Sequence, residues 1–300
     1  MNHPGEYAAL LTAVFWTITA LAFTHAGKRI GSLSVNFWRL VIGLCLLTIF
    51  IGYRYNIIIP EEISNNALIW LSLSGFMGIF LGDLFLFRAF LITGPRVALL
   101  VMSFSPPFAA VIAWFVLDET LSFWGVIGMT VTMIGIFLVI LKRGNKSIGE
   151  NNIRFRYSPK GIFYAFLGMI GQSTGLVMSK VGVMETGNPF TATQIRVVAG
   201  LLGFVILISV LNRWKSVLFS VKDYKAFASL SLGSFFGPFL GISFSLIAIT
   251  YTNPGIVQTI VSINPILIIP FSIWFFKEKI TWLEVFGAMV AVSGIAMFFL

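Results

Sequence analysis

The chain has 300 residues, 58% of them hydrophobic and only 10% charged, with a formal net charge of +9. Soluble domains are about a quarter charged, so a mean hydropathy of +0.95 leaves too little polar surface to face water and specifies an integral membrane protein. The basic excess is then an orientation signal before it is a binding signal, and no basic face on a soluble fold speaks for nucleic acid.

A membrane-spanning helix needs about 20 apolar residues, and ten such segments follow one another: 7–26, 33–53, 67–90, 94–117, 121–141, 159–182, 189–211, 225–249, 254–276 and 281–300. The first lacks a basic leader and a small-residue cleavage site, so it is expected to be a retained helix. Short connections carry turn or charge signals: "TGPR" (93–96), "DET" (118–120), "TNPG" (252–255) and "KEK" (277–279). The longest polar stretch, 142–160, divides the chain into two halves of five helices. The single Cys45 and the two histidines, His3 and His25, rule out a disulfide framework and any multi-Cys or multi-His metal site. No cofactor is expected.

The halves resemble each other. Placing 67–141 on 226–300 gives 22 identities in 75 positions without a gap. The matches include "GIFLG" (78–82) on "GPFLG" (237–241), and Ser103, Pro106 and Glu119 on Ser262, Pro265 and Glu278. Gly128 and Gly135 fall on Gly287 and Gly294; upstream of this window the likeness is weaker and needs a two-residue insertion, with "RLVIG" (39–43) on "RVVAG" (196–200), so that Arg39 falls on Arg196. A duplicated unit with an odd number of helices must sit upside down relative to its twin. That is the inverted-repeat design of many secondary transporters, with the substrate site between the halves near the midplane.

The charges support inversion. Loops one, three, five, seven and nine carry Lys28, Arg29, Arg96, Lys142, Arg143, Lys146, Arg154, Arg156, Lys160, Arg213, Lys215, Lys222, Lys225, Lys277 and Lys279. The even loops carry only Arg54 and, at a helix end, Lys180. The positive-inside rule places the odd loops in the cytoplasm and both termini outside.

Two five-helix repeats, each with a Pro-containing fourth helix followed by Glu, resemble the EamA family of the drug/metabolite transporter superfamily. The resemblance rests on residues 105–140 ("SPPFAAVIAWFVLDETLSF…") and 264–299 ("NPILIIPFSIWFFKEKITW…"), with "GDLFLFRAFLITGPRVALL" (82–100) beside them. It implies an all-α integral membrane protein with ten transmembrane helices in two inverted repeats, 1–141 and 159–300, joined by a polar basic linker, 142–158. It also implies export of small organic metabolites such as amino acids, a multi-pass position in a bacterial inner membrane, and cytoplasmic termini, opposite to the charge bias. The expected partners are a small-molecule substrate, the lipid bilayer and a second copy in a homodimer.

Asp83 is the one acid well inside an apolar helix. Such a residue is a functional hypothesis by default, as a cavity-lining carboxylate for a substrate amine or a proton. The competing role is pairing with Arg88 or Arg39. A spacing of five is poor for a same-helix pair with Arg88, so an interhelical partner is expected and Arg88 is read as snorkelling to the interface. Arg39 and Arg196, as repeat equivalents, suit a shared structural role, with bidentate binding of a substrate carboxylate as the alternative. Ser103 and Ser105 beside Pro106, and Ser262 and Asn264 beside Pro265, mark kinked helices at equivalent places, the best sequence pointer to a transporter site. Gln258 shares a face with Ser262. Trp16, Thr17 and Gln172 fall mid-span and complete the candidate substrate-binding set. The glycine pairs read as helix packing or a dimer surface.

The rival class is a membrane-embedded enzyme acting on lipid or isoprenoid substrates. It would need clustered acids or histidines, and the acidic pairs Glu61–Glu62 and Asp118–Glu119 read as solvated turn charges. No Walker A pattern is present.

Overall fold

The first two helices stop and start where local chemistry dictates. α1 (Pro4–Ile30) begins with Pro at its first position and Glu6 in its first turn, and ends with Lys28 and Arg29 in its last, each favourable to the helix dipole. It breaks at Gly31, whose φ of 78° suits glycine. α2 (Ser32–Tyr55) follows at once and closes on Asn56 in the left-handed region. This computed structural model describes residues 3–56, 63–143, 158–264, 266–267 and 282–299, and among them the secondary structure is entirely helical.

The third span of each half is wound in three pieces. In the first half these are α3 (Asn65–Ser74), a π-helical stretch Gly75–Gly82, and α4 (Asp83–Met102). In the second they are α10 (Tyr224–Ser234), a π-helical stretch Phe235–Gly241 holding Pro238, and α11 (Ile242–Tyr251). The remaining helices are α5 (Ser105–Leu117), α6 (Phe123–Arg143), α7 (Pro159–Thr186), α8 (Pro189–Val210), a short α9 (Trp214–Phe219), α12 (Pro254–Val261) and α13 (Trp282–Ala296). Side-chain caps fix several starts: Ser64 accepts from Ala67 N, Asn188 from Phe190 N and Thr191 N, and Asp223 from Ala226 N. Asp223 also accepts from Arg29 at 2.7 Å, tying α1 to α10, and that hydrogen bond holds its carboxyl below the usual carboxylate range.

Six helices are long and apolar enough to cross a membrane, and three shorter apolar ones, Ser105–Leu117, Phe123–Val139 and Val285–Phe299, fall within expected spans four, five and ten. Of the ninth expected span, α12 is described and 268–276 lies outside the described residues, as do 144–157 of the linker. The fold is thus multi-pass and all-helical, without a fixed count of ten.

One expectation is corrected. The "TGPR" stretch (93–96) is not a turn, because α4 runs through it and the chain breaks instead at Ser103–Phe104. The twin position shows why. At 252–254 the Asn253 side chain accepts from Gly255 N and Pro254 opens a new helix. The equivalent of Asn253 is Gly94, which has no side chain to cap a fresh start. A proline within a helix costs one hydrogen bond without ending the helix.

The halves interlock. α1 packs against α10, the second π stretch, α11 and α12, while its counterpart α7 packs against α3, the first π stretch, α4 and α5. α2 meets α8, and α6 meets α13. Close approach rests on glycine. A Cβ at Gly175 would stand 2.7 Å from Gly78 Cα, and one at Gly135 would stand 2.3 Å from Ala291 N. A Cβ at Gly294 would meet Thr132 N at 2.5 Å. The repeat-paired glycines, Gly128 and Gly135 of α6 with Gly287 and Gly294 of α13, are therefore used against each other.

Candidate functional site

The first π stretch delivers Asp83 to the middle of the molecule. Gly78 and Gly82 lie against Gly175 and Gly171 of α7, so the two backbones touch and the next residue, Asp83, faces α2 and α7. π-helical turns are uncommon and concentrate at functional sites. Asp83 is buried. Its Oδ2 accepts from Arg39 Nη2 of α2, and its Oδ1 accepts from Gln172 Nε2 of α7 at 2.6 Å. Arg39 is the partner, not Arg88, whose side chain is exposed. Each ionised group placed in an apolar span costs about 2.5–3.5 kcal/mol on insertion scales, and this pairing offsets part of that for two of the three charges buried at this centre among the described residues.

The third is Arg196 of α8. It is buried like Arg39, yet it forms no hydrogen bond or ion pair among the described residues, and its Nε is buried without a partner. Its guanidinium lies beside the first π stretch, where a Cβ on Gly78 would stand 3.6 Å from Nη2. Arg39 Nε and Asn36 Oδ1 are also buried without partners, so the centre holds unused donors and one unused acceptor.

A second cluster adjoins the first through consecutive residues of α7. Ser173, next to Gln172, shares a hydrogen bond of 2.8 Å with Ser105 of α5. Gln258 of α12 donates to the same Ser105 oxygen at 2.8 Å. Asn264, the repeat equivalent of Ser105, donates to Ala13 O of α1 at 2.8 Å in the amide orientation that satisfies both its atoms. Ser105 thus bonds to α7 and Asn264 to α1, each to the first helix of the opposite half.

The other candidates are less central. Thr17 donates to Ala13 O and Ser262 to Gln258 O within their own helices, which uses their protons locally. Trp16 is half-buried, with its Nε1 near Gly241 at the end of the second π stretch. Ser103 is buried. Among the described residues no three His, Cys, Asp or Glu side chains gather as a metal would require.

Three polar residues escaped the sequence reading. Ser173 is a small polar residue beside Gln172, with no charge to set it apart from its apolar span. Glu119, read as a solvated turn charge, is paired: Lys180 Nζ lies 2.6 Å from its Oε1, and Asn253 donates to its Oε2 at 3.2 Å. Lys180 also donates to Thr252 O at 2.9 Å. The turn after α5 is thereby clasped to α7 and to the α11–α12 junction. The signal was present, since Lys180 is one of only two cations in the even loops.

A hollow among the described residues lies elsewhere. It is an open groove of about 570 Å³ between α3 and α8, lined by apolar side chains such as Leu68, Phe76 and Leu202, with Ser72 and Gln194. Its apolar wall faces outward and holds no charged group, so the polar centre and not this groove carries the site's chemistry.

A multi-pass helical protein whose similar halves clasp a buried polar centre has the form of a membrane transporter. The chain belongs to the EamA-like transporter family, which matches residues 3–141 and 159–300. A solved structure titled only "Crystal structure of protein" is similar in fold, with a TM-score of 0.72 at 17% identity, covering 99% of this chain and 96% of that one. No match is found among curated proteins.

Proposed function

We propose that the protein is a secondary transporter that exports small organic metabolites, such as amino acids, by alternating access around the Asp83–Ser105 centre between inverted repeats. Its place is a bacterial inner membrane. The observation that carries this reading is the exchange of first helices. Because α1 is held by the second half and α7 by the first, a rocking of one half against the other must pass through the polar residues where they meet. Asp83, Ser105, Gln172 and Gln258 would contact substrate, with Trp16, Thr17, Ser103, Ser262 and Asn264 shaping the surrounding wall.

The test is counterflow in proteoliposomes preloaded with unlabelled amino acids, assayed one labelled amino acid at a time. Saturable, protein-dependent exchange is expected for at least one of them, with a loss of at least about tenfold in Gln258→Leu, because the centre then loses an amide and Ser105 keeps only its Ser173 partner. Absence of exchange across amino acids and the corresponding oxo and hydroxy acids would remove the reading.

A further inference from the structure

The buried centre is not electrically balanced. Arg39, Arg196 and Asp83 are all more than nine-tenths buried, so among the described residues two buried guanidiniums accompany one buried carboxylate and one positive charge is left over. Both oxygens of Asp83 are already occupied, one by Arg39 and one by Gln172. Arg196 feels the Asp83 charge but is not within ion-pair distance of it.

The duplication explains the imbalance. Arg39 and Arg196 are equivalent, and Asp83 is equivalent to Ile242. The first half supplies its arginine with an acid, while the second half has a buried isoleucine at the repeat-equivalent position. An unpaired cation in an apolar interior is costly unless something neutralises it. The planar fork of a guanidinium fits a carboxylate through two parallel hydrogen bonds. One negative charge balances the site; a phosphate dianion would overshoot it.

We propose that Arg196 is the anion-binding residue of this centre and that the substrate is a monocarboxylate, whose carboxyl group takes the place of the acid missing at Ile242. The assignment rests on the transporter reading for its meaning as a substrate site, but not for the binding itself. It separates the two arginines: Arg39 holds Asp83 in position, and Arg196 is left for the ligand. The adjoining Ser105, Ser173 and Gln258 then face the rest of a bound molecule.

The experiment is thermal unfolding of the purified full-length protein with 2-amino, 2-oxo and 2-hydroxy acids bearing leucine or phenylalanine side chains. Each acid is compared with its carboxamide, and phenyl phosphate is included. At least one acid should raise Tm where its amide does not, and Arg196→Gln should weaken its apparent affinity at least about tenfold. Ile242→Asp supplies the missing carboxylate from within; it should raise the Tm of the unliganded protein and abolish the response to acid, which guards against a simple folding defect in Arg196→Gln. Equal responses to acid and amide, tighter binding of phenyl phosphate, no response to any acid, or a response that survives both variants overturns the proposal. Acid binding without counterflow leaves the anion site standing and removes transport. Counterflow of amides with no acid response removes the anion site and leaves transport standing.

Discussion

Asp83 holds two hydrogen bonds from two helices, and among the described residues it is the one buried carboxylate, against the two buried guanidiniums of Arg39 and Arg196. Removing its charge is therefore not a clean probe of transport. Asp83→Asn leaves Arg39 buried and unpaired, and breaking a buried pair from one side costs about 3–5 kcal/mol. Thermal unfolding of the purified variant should show that loss. Replacing both partners with apolar residues, Arg39→Met with Asp83→Leu, should recover most of it, since buried pairs replaced together are often neutral. If the double variant is no more stable than Asp83→Asn, the pair is not what holds this site. The sequence announced the participants, because ionised residues stand out in apolar runs. It did not announce the partnership: whether Asp83 meets Arg39 or Arg88 depends on how α2 and α4 cross, which periodicity along one helix does not encode.

At the scale of elements, glycine decides which helices touch. A Cβ at Gly135 would fall 2.3 Å from a backbone nitrogen of α13, whereas at Gly125, on the same helix, the nearest atom is a serine hydroxyl at 3.3 Å. Gly135→Ala should lower thermal stability by about 1–3 kcal/mol or more through overpacking, and Gly125→Ala should be neutral or slightly stabilising because alanine favours the helix. Similar effects for the two would mean that α6 and α13 do not pack as described. The Lys180–Glu119 clasp admits a reversal test. Glu119→Lys should lose about 1.5–3 kcal/mol, the worth of hydrogen bonds to charged groups, and adding Lys180→Glu should restore part of it; no recovery in the unfolding temperature would argue against the pair. Glycine spacing made the α6 and α13 faces legible from sequence. The π-helical winding was not legible, since "GIFLG" has the composition of any apolar α-helix and its geometry is imposed by contact with α7.

For the whole molecule, the distribution of basic residues makes a claim about the membrane. In a Cys45→Ala background, Ser216→Cys in α9 and Met184→Cys near the end of α7 are both exposed but belong to loops of opposite number. An impermeant thiol reagent should reach Met184→Cys from outside the cell and Ser216→Cys only after the membrane is opened. The reverse pattern would place the termini in the cytoplasm, as the family resemblance implies.

The π-helical stretches hold a further consequence. They occupy matching places, Gly75–Gly82 and Phe235–Gly241, and each is followed by a different residue, Asp83 in one half and Ile242 in the other. A peculiarity shared by both copies of a duplicated unit is most economically inherited from the ancestor that was copied. A difference between the copies was acquired, or lost, after they parted. The widened winding is thus older than the charge asymmetry beside it: the ancestral repeat already carried the distortion, and the difference in charge came later.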